Sequence, residues 1–168
     1  MMNIFSKKQI FFKIFLSSLF LVFLVIFFEA WENWLSLIGF TLAYLIGVLF
    51  LFLDEQFLYK FYQEKIDSGI HKSTHFSELA SRNFLFILAL PLLSIFVLTS
   101  SGSIFGIALI MAINFYLLIE MWQLRDEFLL FKDRFLAMSK IQTTVKLVHQ
   151  ICWFALAYFI FLLINLLV

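Results

Sequence analysis

The chain has 168 residues, of which 64% are hydrophobic and 14% charged, with a formal net charge of +1. Soluble domains carry about 25% charged residues, so this composition excludes an ordinary water-soluble globule. The near-zero net charge gives no electrostatic reason to expect nucleic acid, and a single cysteine, Cys152, excludes a disulfide framework or a Cys-x-x-Cys redox pair within the chain.

Five apolar runs follow one another at 10–28, 34–53, 83–98, 104–122 and 147–168. A spanning helix needs about 17 to 25 mostly apolar residues, because a rise of about 1.5 Å per residue must cross about 30 Å of hydrocarbon. Each run is therefore expected to be a transmembrane helix. The third is short, and Ala80 and Ser81 before it and Thr99 and Ser100 after it are expected to lengthen it. The first reads as a retained anchor: its apolar stretch is longer than the h-region of about 7 to 15 residues in a cleaved signal, and residues 27–30 offer no small-x-small site. The connections 29–33 and 99–103 are short enough to make two antiparallel hairpins, to which the last helix is added. The expected fold is an all-α integral membrane protein, one polytopic domain over 1–168.

The basic residues sort among the connections. Lys7, Lys8 and Lys13 go with the start of the first run; Lys60, Lys65, Lys72 and Arg82 fall between the second and third; Arg125, Lys132, Arg134, Lys140 and Lys146 fall between the fourth and fifth. The two short connections hold no lysine or arginine. The positive-inside rule then places the N-terminus in the cytoplasm and the C-terminus outside, in a plasma membrane or bacterial inner membrane.

Lipid is as apolar as leucine, so spans associate through close backbone approach and polar bonds rather than by hiding leucine. Small residues mark such faces. Ser36, Gly39, Ala43 and Gly47 recur along one stripe of the second span, which is expected to supply the central packing face, and Gly102 and Gly106 open the fourth span as a Gly-x-x-x-Gly. Trp31, Trp34 and Trp122 fit interfacial belts. Pro91 removes one backbone bond from the third span and is expected to kink it. Asn114, Tyr44, Tyr158 and Asn165 are the candidates for interhelical hydrogen bonds.

Most of the polar residues lie in the connections 54–82 and 123–146. In the first, Phe57, Leu58, Phe61, Tyr62 and Ile66 share one helical face. In the second, Leu124, Phe128, Phe131, Phe135 and Met138 recur at four- and three-residue spacing, an aromatic stripe that needs a covering: lipid headgroups, the first connection, or a protein partner. His71, His75 and Glu78 have ligand-like spacing, but Gly69, Ser73 and Thr74 suggest a turn that breaks the helix they would need. The pairs Asp54-Glu55 and Asp126-Glu127 stand near the ends of two spans and echo each other as a faint internal repeat. No catalytic, metal or cofactor site is expected from these patterns.

The reading that follows is a non-catalytic membrane subunit or scaffold, with the bilayer and a membrane or cytoplasmic protein as partners, whose aromatic stripe docks a partner or the interface. The alternatives are a transporter or channel built from several copies, with Asn114 lining the path, and an interfacial lipid-modifying enzyme using the acidic pairs with a divalent metal.

Overall fold

A computed structural model describes residues 7–27, 34–54, 80–82, 84–100, 103–136 and 144–167. These are helical almost throughout, with no strand among the described residues. The helices are α1 (Lys7–Phe27), α2 (Trp34–Leu53), α3 (Phe84–Ser100), α4 (Ile104–Leu124), the single turn α5 (Phe128–Phe131) and α6 (Val145–Leu167). A 3-10 turn at Ala80–Arg82 leads into α3, and a π-helical turn at Lys132–Leu136 continues α5. α1, α2, α4 and α6 are long and apolar enough to cross a membrane, and α3 is a shorter apolar helix.

Local signals fix the helix ends. Ser103 is extended and caps α4 by accepting a hydrogen bond from the Gly106 amide at 3.3 Å. Thr144 does the same for α6, its hydroxyl accepting from the Leu147 amide and its carbonyl from that of Val148. Such caps satisfy amides that the first turn of a helix leaves without partners. Thr99 and Ser100 extend α3 as expected, while Ala80 and Ser81 form the 3-10 turn instead of a further helical turn.

Contacts give the relative directions. Lys13 reaches Glu120 and Phe20 stacks on Phe115, so α1 runs antiparallel to α4. Ser94 meets Asn114 while Arg82 meets Glu120, so α3 is antiparallel to α4 as well. Cys152 beside Met121 and Phe159 beside Phe115 give the same relation for α6. α2 runs parallel to α4: Gly47 faces Ala112, and Leu51 lies nearer the level of Glu120.

α4, rather than α2, is the centre of the bundle. Of α4, 61% is buried, against 22 to 28% of the other three long helices. α2 makes the broadest contact with it. A Cβ added at Gly47 would lie 2.9 Å from both the Ala112 Cβ and the Leu109 carbonyl oxygen, so glycine permits that approach. Ala43 on the same stripe is fully buried, but Gly39 faces open space, with nothing within 4 Å of an added Cβ. Ser36 and Gly106 are half-buried, and Gly102 lies outside the described residues. The stripe thus packs α2 on its partner over its second half. Three stacked or tilted rings, Phe20, Phe115 and Phe159, join α1, α4 and α6, with centroids 4.0 to 5.4 Å apart.

Candidate functional site: a buried ionic cluster

Five ionisable side chains meet at one end of this bundle, each from a different element. Lys13 comes from α1, Asp54 from the end of α2, Arg82 from the 3-10 turn, Glu120 from α4 and Arg134 from the π-helical turn, and all are buried. Charges in such surroundings are costly unless paired and hydrogen-bonded. Here Glu120 is the hub. Arg82 approaches it as a fork, Nη2 donating to Oε2 at 2.9 Å and Nε to Oε1 at 3.3 Å. Arg134 donates from Nε to Oε1. The Lys13 ammonium lies 3.9 Å from Oε2 and 5.5 Å from the centre of the Tyr116 ring.

The remaining nitrogen of Arg82 knits in α2. Its Nη1 donates to the Leu51 carbonyl at 3.0 Å, to Ser81 Oγ at 2.7 Å and to Asp54 Oδ2 at 3.4 Å. Asp54 Oδ2 also accepts from the Ser81 amide at 2.9 Å and from the Ser81 hydroxyl. A planar guanidinium with five donors is suited to bridge two carboxylates and a helix end at once. Arg82 is completely buried.

The segment that carries Arg134 closes this end. After α4 the chain turns through Arg125 and Asp126, and residues 128–136 fold back with Phe131, Phe135 and Leu136 buried. Leu124 is buried too, Phe128 is half-buried and Met138 lies outside the described residues. The covering of the aromatic stripe is therefore the chain's own bundle. Leu129, on the other side of the segment, is 71% exposed.

The two acidic pairs stand in unlike places. Asp54 belongs to the cluster, whereas Asp126 is exposed and contacts Arg125 at 3.3 Å and His149 at 3.5 Å. The Arg125 guanidinium lies 4.7 Å from the centre of the Trp122 ring, and Trp122 meets Trp153 edge-on at 5.3 Å. Glu127 is exposed. Glu55, His71, His75 and Glu78, together with the aromatic face at 57–66, lie outside the described residues.

Farther along the bundle the polar groups bond in pairs. The Tyr44 hydroxyl lies 3.0 Å from Ser17 Oγ and donates to the Ser17 carbonyl. Asn114 donates to Ser94 Oγ and to the Ile110 carbonyl, each at 2.8 Å, and Ser94 donates to the Leu90 carbonyl. Tyr158 donates to the carbonyl of Pro91 at 3.0 Å. A cavity of about 110 Å³ lies between α3, α4 and α6 beside Pro91, Asn114 and Tyr158, with otherwise apolar walls. Asn165 donates within its own helix, to the Phe161 carbonyl. Comparison with family models, curated proteins and solved structures finds no match to the chain.

The sequence carried one signal for the cluster. Lys13 and Glu120 stand inside apolar runs, where ionisable residues are rare and usually face the bundle interior. Their partners were not readable from spacing: Arg82 lies 38 positions from Glu120 along the chain and Arg134 14.

Proposed function

We propose that the chain is a five-span, non-catalytic subunit or scaffold of a plasma membrane or bacterial inner membrane, with its N-terminus in the cytoplasm and its C-terminus outside. The alternating directions of α1, α2, α3, α4 and α6 support five spans, with α3 the shortest. The sorting of basic residues to the ionic end supports the orientation. On this reading the cluster lies at the cytoplasmic interface.

The observation that carries the reading is the pairing of buried polar groups across elements, although Asp54 Oδ1 and Gln123 Oε1 are buried without a hydrogen bond among the described residues. Five buried charges from five elements are spent on one another, and the hydroxyls and amides deeper in the bundle are bonded pairwise. Groups that serve transport or catalysis must exchange partners with a substrate, whereas groups that serve a rigid scaffold need not. Asn114, the natural candidate to line a path, already bonds Ser94 and Ile110. The partner is a second protein of the same membrane or of the cytoplasm, met at the end of the bundle that carries the ionic cluster.

Native mass spectrometry of protein extracted gently from its own membranes tests this. A stoichiometric second protein is the expected result. A closed ring of identical copies with flux in liposomes, lost in Asn114→Leu, would replace the reading with a transporter. Reporter fusions in the connections 29–33 and 123–146 test orientation: the first should report outside and the second cytoplasm.

A further inference from the structure

Of the three cations that meet Glu120, two are built into the spans or their edges. Lys13 lies within α1 and Arg82 immediately precedes α3. Arg134 is different, because it is carried on residues 128–136, a segment set off from α4 by the turn at 125–127. At that joint Glu127 has φ −102° and ψ 69° and makes no side-chain cap, so α4 does not continue rigidly into α5. If Arg134 leaves, Glu120 keeps Arg82 at 2.9 Å and Lys13 at 3.9 Å. The charge balance of the bundle therefore tolerates the segment's departure.

The same segment has a second resting place of matching chemistry. Phe128, Leu129, Phe131, Phe135 and Leu136 supply apolar surface, and Arg125, Lys132 and Arg134, with Lys140 and Lys146 beyond, outweigh Asp126, Glu127 and Asp133, so the connection 123–146 carries a net charge of +2. Aromatic and aliphatic side chains interleaved with basic ones bind the interface of an anionic leaflet. Leu129 and Lys132 are already exposed while the segment is docked.

We infer that residues 128–136 form a strap that exchanges between Glu120 and the phosphates of anionic lipid headgroups, so that membrane charge sets whether this end of the bundle is closed. In the closed state Arg134 pairs with Glu120 and Phe131 and Phe135 fill the core. In the open state Arg134 pairs with lipid phosphate, the rings enter the interface, and Glu120 and Arg82 are uncovered. The inference rests on the membrane-spanning reading above.

The test uses full-length Leu136→Cys in a Cys152→Ser background, reconstituted in nanodiscs of phosphatidylcholine alone or mixed with phosphatidylglycerol. Leu136 is buried when the strap is docked, so maleimide labelling of the introduced thiol reads opening. About tenfold faster labelling in the anionic discs is expected, because the small net positive charge of the connection is drawn to a charged surface once Arg134 leaves Glu120. Equal, slow labelling in both lipids would show a fixed strap and overturn the inference; equal, fast labelling would show that Glu120 does not hold it and would overturn it equally. Amide hydrogen exchange of residues 128–136 in the unaltered protein must show the same lipid dependence, and equal protection in both discs also overturns the inference. Failure of the membrane-spanning reading shows separately, as protein released from membranes by alkaline carbonate.

Discussion

At the ionic end, five elements meet through side chains that are costly to bury alone, and each is held by a partner from another element. Beyond Ser17 and Tyr44 the same helices meet through Phe20, Phe40, Ala43, Ala108, Met111 and Ala112, all buried and none charged. The contrast separates two ways of assembling helices in a medium that gives no reward for hiding leucine. Charge pairing is directional and long in reach, and it does not tolerate losing the carboxylate that the cations share. Close packing is short in reach and depends on small residues opposite one another. The first fixes which elements come together, and the second fixes how near they come.

Removing the hub is the sharpest way to break the comparison. Glu120→Leu should cost about 3 to 5 kcal/mol, since it leaves buried cations without their shared carboxylate. Unfolding in mild detergent by added denaturing detergent measures it, and a cost below that of any packing variant would reverse the ranking of the two ends. Next, Gly47→Val should cost about 1 to 3 kcal/mol, because its side chain meets the Ala112 Cβ and the Leu109 backbone, which cannot swing away. Gly39→Ala, on the same stripe, should be neutral or slightly stabilising, since the space is open and helical glycine is costly.

Smaller still is the loss expected from the paired polar groups. Asn114→Leu should cost about 0.6 to 2 kcal/mol, the range for interhelical hydrogen bonds within a bilayer. The smallest effect belongs to the outer surface: Leu92→Ala, at a position 71% exposed on α3, should change stability by no more than about 0.5 kcal/mol. A large effect there would mean that another protein, and not lipid, covers α3. Thermal unfolding of both variants in the same detergent decides these two.

The helices themselves were legible because hydropathy is a local property. The run at 34–53 matches α2 at both ends, and that at 104–122 falls two residues short of Leu124. Which helix lies at the centre was not legible. α2 advertises small residues on one stripe, but α4 is covered by helices on most sides, and an apolar sequence looks the same facing lipid or protein. The aromatic stripe reads as a face that needs covering, yet spacing names no covering. Its ally, Arg134, sits between Phe131 and Phe135 and carried no mark that would tell a buried cation from a solvated one. The acidic echo of Asp54 and Asp126 misled for the same reason: one is enclosed by Ser81 and Arg82, and the other lies in the open with Arg125 and His149.

The central position of α4 also bears on how the protein is made. During synthesis at about 5 to 20 residues per second, α1, α2 and α3 are made seconds before the helix they all pack against is complete. Asp54, Ser81 and Arg82 can already join in that interval, so the 3-10 turn tethers the first hairpin to α3 before its permanent partner exists. Lys13 meets Glu120 only when residue 120 has emerged, and Arg134 seals the end later still. A nascent chain arrested before α4 should therefore be an open, loosely associated set of helices and a ready target for membrane proteases and chaperones, whereas the chain with α6 packed on Phe115 and Met121 should resist them.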